Sequence, residues 1–415
     1  MRLTTPTSVS SFLPRLRFFA ARQWVFLLAL LLYLPLTFLG YGSDVDTFRV
    51  LDAGRNFVAT ADYVPSRRPG YLVHELSTFA LDRLGGSLAA NLGTLFWAFV
   101  AAVCFRRILH RHHIPNENLL TLAFVIHPVF WYNATVTADY LWALGMLLAG
   151  FDLLERARFG WAGLALGLAV GCRISSALAA GFLLLYAWME YPGRRRQVMG
   201  GALFAAFLAS LAYVLPWDFA EWRPSFWEAS TGSPELWPLA MRAGRFLYKN
   251  LYFWGLPAAF MGVIVLARLL RGPRSLRRLG SQRLVWLCLL ALLGLQALFF
   301  RYPIEVEYLL PTLPFWLILA GLALPERRQV ILLAVLIFSY NFVNLNLAKP
   351  DAPGQASRAT LGIWLEPGYL LQESTTRLIL LGCDSRSCYN ERIERRPERE
   401  FEDARELSRP DFVFR

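Results

Sequence analysis

Apolar runs about as long as a bilayer is thick recur along most of this chain. A helix needs roughly 20 mostly apolar residues to cross the hydrocarbon core, with about 17 as the lower limit. Runs of that kind lie near 24–40, 88–105, 119–135, 138–153, 198–216, 251–270, 284–300, 309–324 and 330–347. Charged residues make up only 17% of the chain while 56% is hydrophobic, against about a quarter charged in soluble proteins. A bilayer imposes that deficit. The same figures exclude a disordered chain, a collagen-like repeat and a disulfide scaffold.

The first run follows Arg15, Arg17 and Arg22 and is not followed by a small-residue cleavage site. It reads as an uncleaved anchor with a cytoplasmic N-terminus. The stretch 161–189 is rich in Gly and Ala, is interrupted at Cys172-Arg173, and is too long for one ordinary span. Charge sidedness decides how often it crosses. With two short crossings meeting near Arg173, the short cytoplasmic segments hold 20 basic residues and the short external ones 11. A single crossing would move Arg194–Arg196 and the arginines between Arg268 and Arg283 outside, against the positive-inside rule. Two crossings give eleven spans. The predicted fold is an all-α integral membrane bundle, 1–347, with its N-terminus inside and its C-terminus outside.

A net charge of +12 suggests nucleic acid at first, but its distribution does not. The basic residues, nearly all Arg, cluster in short segments between apolar runs, as cytoplasmic loops do. No nucleic-acid partner is expected. The bias toward Arg is compatible with a bacterial inner membrane.

This topology leaves three external segments: 41–87, 217–250, and a tail from 348 to 415 expected to be a small cap or acceptor-binding piece. The tail carries an apolar, strand-like stretch at Leu378–Leu381, then Cys383 and Cys388 with four residues between them. In an oxidising compartment such a pair closes a small disulfide loop. Cys104, Cys172 and Cys288 lie in apolar runs and read as packing residues.

External segment one carries more chemistry than a connection needs. It reads Gly42-Ser43-Asp44-Val45-Asp46-Thr47-Phe48-Arg49, then Asp52, Arg55 and Asp62, then Pro65-Ser66-Arg67-Arg68-Pro69-Gly70-Tyr71. Two carboxylates stand where the first span leaves the membrane. A surface helix is expected from about Asp46, with Phe48, Val50, Leu51 and Phe57 as its apolar contacts. Arg67 and Arg68, between two prolines, are expected in a stiff, extended segment. Carboxylates beside fixed arginines at the lipid interface suit transfer of a sugar from a polyprenyl phosphate. Arg binds such a phosphate bidentately and stabilises it as a leaving group. Asp takes the proton of the attacking acceptor hydroxyl. The competing reading makes these acids helix caps and surface ion pairs.

Several stretches, taken together in order and sidedness, resemble GT-C-type membrane glycosyltransferases. They are the acids after span one, Ser66–Tyr71 with His74-Glu75-Leu76, Thr137-Ala138-Asp139, the segment Gly163–Arg173, and Glu305-Val306-Glu307-Tyr308-Leu309-Leu310-Pro311. The last is similar to the segment before a late span in dolichyl- or undecaprenyl-phosphate sugar transferases. The resemblance, to a superfamily that includes protein mannosyltransferases and aminoarabinose transferases, covers about 41–320. It implies inverting transfer on the outer face with Asp44 or Asp46 as base. Arg67, Arg68 and Arg173 then become candidates for the donor phosphate, and Asp139, Glu75, Arg301 and Glu305 for substrate contact. Many relatives have adjacent acids at this place; here Val45 separates them, which leaves the base open between the two. Relatives using monophosphate donors imply no metal, although two loop carboxylates can share a hard divalent cation. The acceptor is open among lipid, glycan and protein.

Arg173 reads equally as a phosphate ligand or as a side chain snorkelling outward. Arg301, Glu305 and Glu307 read as site residues or as interface charges. His127, mid-span beside Pro128, reads as a buried structural histidine, and His110, His112 and His113 as part of a solvated basic loop. The rival to an enzyme is a transporter or lipid-carrier flippase. The interrupted helices at 161–189 suit it; the gathering of acids and arginines in one external segment, with no second interrupted pair read from the sequence, opposes it. A non-catalytic assembly subunit is the third class.

Overall fold

The computed structural model describes residues 12–60, 63–67, 70–214, 239–271, 282–349 and 360–394. Arg68, most of 217–250 and the chain after 394 lie outside the described residues.

The described chain is helical apart from one hairpin. It begins with α1 (Phe12–Tyr33), extended by a 3₁₀ turn to Phe38, and the surface helix α2 (Val45–Thr60). Helix α3 (Leu72–Arg111) breaks at Gly85 and Gly86, where backbone angles leave the helical region. The break separates the end of segment one from the expected span at 88–105. Next come α4 (Glu117–Val125), α5 (Pro128–Asn133), α6 (Tyr140–Glu155), α7 (Phe159–Cys172), α8 (Ser176–Glu190) and α9 (Arg195–Val214). Then follow α10 (Leu239–Trp254), α11 (Leu256–Arg271), α12 (Gln282–Arg301), a 3₁₀ segment Val306–Thr312, α13 (Leu313–Ala323) and α14 (Arg327–Ser339). The tail supplies β1 (Val343–Lys349), β2 (Thr360–Pro367), α15 (Tyr369–Ile379) and α16 (Arg386–Glu394).

Helix α6 is the axis of the molecule. Nearly all of it is buried, and it packs against α3 on one side and α7 on the other. It is therefore apolar all round rather than on one stripe. On the outside of the bundle Leu31, Leu84, Leu203, Phe207, Trp286 and Leu293 stand exposed, a surface suited to lipid. By length and composition, Leu72–Arg111, Arg283–Arg301 and Val306–Ala323 can each cross a membrane alone.

Four expectations need correction. The run 119–135 is not one helix: His127 is extended and α5 starts at Pro128, because proline lacks an N–H and pushes its predecessor out of the helical region. The run 330–347 stays helical only to Ser339; its polar end, Asn344 and Asn346, pairs in β1. Strands β1 and β2 form a two-stranded antiparallel sheet with an irregularity between Asn346 and Ala348. Residue 347, the expected limit of the bundle, lies inside β1. Leu378–Leu381 is not a strand but the end of α15 and a turn. Arg67 lies in a bend: the Gly70 N–H bonds the Arg67 carbonyl at 2.7 Å, and Gly70 has φ +99°, which glycine adopts without strain.

The sequence reading of 161–189 as two helices meeting at Arg173 matches α7 and α8. Beyond the break in α3, other interruptions are present. Besides α4–α5, the pair α10–α11 bends by 99° at Gly255.

Candidate active site

Asp44 caps α2. Its carbonyl accepts the Thr47 N–H at 3.3 Å and its Oδ1 accepts the Asp46 N–H at 2.9 Å, as an aspartate cap does. That leaves Oδ2 without a protein partner among the described residues. Asp46, in the first turn of the helix, is instead fully engaged: Oδ1 takes Arg49 at 2.7 Å and Oδ2 takes Arg67.

The other guanidinium nitrogen of Arg67 reaches Asp139 Oδ1 at 3.1 Å. Asp139 stands at the N-terminus of α6, where the helix dipole favours an acid. Its Oδ2 is held by Arg173 at 2.6 Å. Arg173 leaves α7 in an extended conformation, is buried, and turns inward onto Asp139 rather than outward to the surface. Three tyrosine rings surround its guanidinium, Tyr140 at 4.1 Å, Tyr308 at 5.0 Å and Tyr71 at 5.8 Å; Tyr71 also lies 4.6 Å from Arg67. Cation–π contacts of this kind strengthen where water is excluded.

Glu305 enters from the segment before α13 and accepts the Tyr140 hydroxyl. Oxygens of Asp44, Asp46 and Glu305 lie within 4.8 Å of one another. Burial, with Asp46 and Glu305 nearby, pushes the Asp44 carboxyl well above the ordinary carboxylate range. Asp44 is nevertheless open to water. Glu305 is raised too, first by burial and then by Glu307.

Elements far apart in sequence are locked together to make this face. Asn91 of α3 donates to the carbonyls of Thr37 at 2.9 Å and Gly40 at 2.7 Å, and accepts Thr137 Oγ1 at 2.8 Å. The Thr137 N–H bonds the Tyr41 carbonyl at 2.8 Å. The lead into Asp44 and the lead into Asp139 therefore share one buried anchor.

Glu75 serves the loop. It accepts the hydroxyls of Tyr63 and Ser66 and the Ser66 N–H at 3.2 Å, and so folds the segment that delivers Arg67. Arg301 stands exposed at the last turn of α12. His127 is fully buried against Phe253 and Trp254. His112 pairs with Glu155 at 3.3 Å and His110 with Glu117 at 2.9 Å, at the opposite end of α6 from the site. Sequence reasoning missed the tyrosine surround of Arg173 and the pairing of Arg49 with Asp46. An i, i+3 Asp–Arg spacing could have shown the second.

The three carboxylates are hard oxygen donors of the kind a divalent cation takes. Asp46 fits that role poorly, because both of its oxygens already hold arginines. An anion fits better: Arg67 Nε is buried without a hydrogen-bond partner, and a buried guanidinium N–H left unpaired is costly.

No known family model matches this chain, and no curated protein does. Among solved structures it is similar to ArnT from Cupriavidus metallidurans in the apo state, with a TM-score of 0.51 and 16% identity over 74% of this chain and 60% of that one. A structure of ArnT from the same organism bound to undecaprenyl phosphate aligns with 73% of this chain and 60% of that one, at 16% identity and a TM-score of 0.47. The chain thus spans about 60% of that neighbour's length. At this identity the likeness is one of fold alone.

Proposed function

We propose that this protein moves a sugar from a polyprenyl-phosphate donor to an acceptor hydroxyl at the external membrane face, with inversion. The observation that carries this reading is Asp44, a carboxylate with one oxygen unpartnered among the described residues, beside a buried Arg67–Asp139–Arg173 system in which Arg67 Nε has no hydrogen-bond partner. The acceptor oxygen attacks the anomeric carbon and its proton passes to Asp44. The bond from that carbon to the phosphate oxygen breaks, and the electron pair leaves with the phosphate. Arg67 and Arg173 balance the new charge in a site of low dielectric. A single displacement inverts the anomeric centre. Asp44 is favoured over Asp46 because Asp46 is held by two arginines and Asp44 is not.

Eleven crossings, with the N-terminus cytoplasmic and the C-terminus external, fit the site. Helix α16 of the tail packs on α2 of segment one, so both lie on one side of the membrane and an even number of crossings separates them. Asp139, Arg173 and Glu305 meet at that same end. With α6 leading away from it and α7 leading back, both short helices at 161–189 count as crossings. As a helix, α7 rises only about 21 Å, against a core of roughly 30 Å, so the site sits recessed below the surface, where a lipid phosphate can reach it. The disulfide Cys383–Cys388 supports an oxidising, external side, and the bias toward arginine is compatible with a bacterial inner membrane.

The transporter reading gains from the broken pairs α4–α5 and α10–α11, but the charges do not gather at those breaks. Purified protein offered labelled polyprenyl-phosphate sugars, with water or an envelope extract as acceptor, separates the two. Transfer or slow hydrolysis that Asp44→Asn abolishes supports the enzyme; substrate flux into liposomes without bond cleavage overturns it. Chelation with EDTA should leave the rate unchanged, since arginines occupy Asp46.

A further inference from the structure

Helix α15 is amphipathic the wrong way round. Tyr369, Glu373 and Arg377 recur every fourth residue and so share one face. Tyr369 and Arg377 are buried and Glu373 is half-buried, whereas Leu371 and Leu378 are exposed. Each residue of the polar stripe holds a different piece of the site's scaffold. Arg377 donates to Thr135 Oγ1 at 2.9 Å, to the Thr135 carbonyl at 2.9 Å and to the Gly40 carbonyl at 3.2 Å. Tyr369 donates its hydroxyl to Glu307 at 2.5 Å, two residues from Glu305. Glu373 accepts the hydroxyl of Ser43, the residue before Asp44.

Ser43 is fixed from two sides. Its N–H donates to the Tyr132 hydroxyl at 3.0 Å, and the two hydroxyls also bond. Because Glu373 only accepts, Ser43 must donate to it, and Tyr132 must then donate to Ser43. Every hydrogen in this chain has one direction. The Tyr132 ring in turn stands edge-on to Tyr369 at 5.7 Å, closing the circuit within α15. Beyond α15 the disulfide Cys383–Cys388 and Tyr389 cover Phe48 and Leu51 of α2, with Phe48 and Tyr389 rings 5.3 Å apart. Arg55 of α2 bonds the Asp384 carbonyl at 2.7 Å.

We propose that α15 is the positioning element of the reaction centre, and that Glu373, through Ser43, sets the orientation of the Asp44 carboxylate. The tail is then a strap across loop one rather than an appended cap. The proposal rests on the reading of Asp44 as the base. It explains why this helix turns Glu373 and Arg377 inward while Leu371 and Leu378 stay exposed: much of the inward face is committed to holding other elements.

Two measurements on the full-length protein separate this proposal from the reading beneath it. Hydrogen–deuterium exchange follows the amides of 43–47 in wild type, Glu373→Ala and Glu373→Gln, whatever the substrate. Glu373→Ala should speed their exchange about tenfold, the loss of one charge-assisted bond. Glu373→Gln, which still accepts from Ser43, should fall between. Amides of α6 should not change. Unaltered exchange in both variants overturns the strap. The second measurement is transfer from a labelled undecaprenyl-phosphate sugar. Glu373→Ala should lower kcat about tenfold or more with KM for the donor unchanged, and Ser43→Ala together with Glu373→Ala should be no slower than either alone. A rise in KM at constant kcat, or additive losses, would also overturn it. If wild type transfers nothing while exchange responds as described, the strap stands and the transferase reading falls.

Discussion

Helix α6 carries an acidic cluster at each end, and the two clusters differ in how their charges are closed. At its C-terminal end Asp152 faces Arg156 at 2.9 Å, Arg111 at 3.3 Å and Arg107 at 3.8 Å. Those arginine side chains are 36%, 32% and 53% exposed, so water completes their hydration. At the N-terminal end Asp139 faces Arg67 and Arg173, whose side chains are 15% and 9% exposed. Acids there outnumber the arginines, since Asp44 and Glu305 join Asp46 and Asp139. Protein rather than water surrounds those two arginines, and among the described residues Arg67 Nε is buried without a partner while Asp44 Oδ2 faces water without a protein partner. Similar side-chain chemistry thus has exposed arginines at one end and buried ones at the other, and the proposed reaction is placed at the buried end.

The sharpest way to break this contrast is Asp44→Asn. Asparagine caps a helix as well as aspartate, so the fold should stand while transfer falls about 10³-fold, within the range of a lost general base. The variant should also melt no lower than wild type. An acid whose folded pKa lies above its unfolded value favours the fold when protonated, and that stability is lost as pH rises through the folded pKa. With Asp44 raised, its ionised form works against the fold at neutral pH. A large drop in melting temperature would show that the cap, not the chemistry, is its task.

Next in size is Arg67→Lys, expected to cost about 10²-fold in rate through loss of the planar fork. Removing Arg173 tests burial directly. Arg173→Gln leaves Asp139 with one cation and should destabilise by about 3 kcal/mol, measured by thermal unfolding in detergent. The wild-type pH profile should show an acidic limb displaced upward from the ordinary carboxylate range, because the base works only when ionised and its proton leaves late. A limb at the usual aspartate position would move the base away from Asp44.

Much of this contrast is visible in sequence, because apolar length and arginine spacing are one-dimensional quantities. The α7–α8 interruption at Arg173, the acids of segment one and the disulfide of the tail were all legible that way. What escaped was pairing across long separations. Nothing local marks Arg377 as the partner of Gly40 and Thr135, and burial with desolvation as its cause holds its guanidinium down to about 10, a state only the assembled fold creates. The end of the last apolar run was misread for a different reason. Hydropathy does not distinguish a span from a helix that stops at Ser339 and turns into a strand, and the alternating asparagines at 344 and 346 were the available warning.

The smallest expected effect falls at the far end of α6. Asp152→Asn removes an acid facing three arginines, which by count alone would rank it above any single change near Asp139. Asp152 itself is buried, but those arginines keep their water, and the gain of each pair is offset by the entropy of holding long, exposed side chains in place. Asparagine also still accepts one hydrogen bond. Stability should therefore change by less than about 1 kcal/mol, and transfer not at all. The comparison with Arg173→Gln is then internal to one helix and one kind of interaction. Equal losses at the two ends would mean that the N-terminal cluster is no drier than the other and that its unpaired groups have no special need of a ligand.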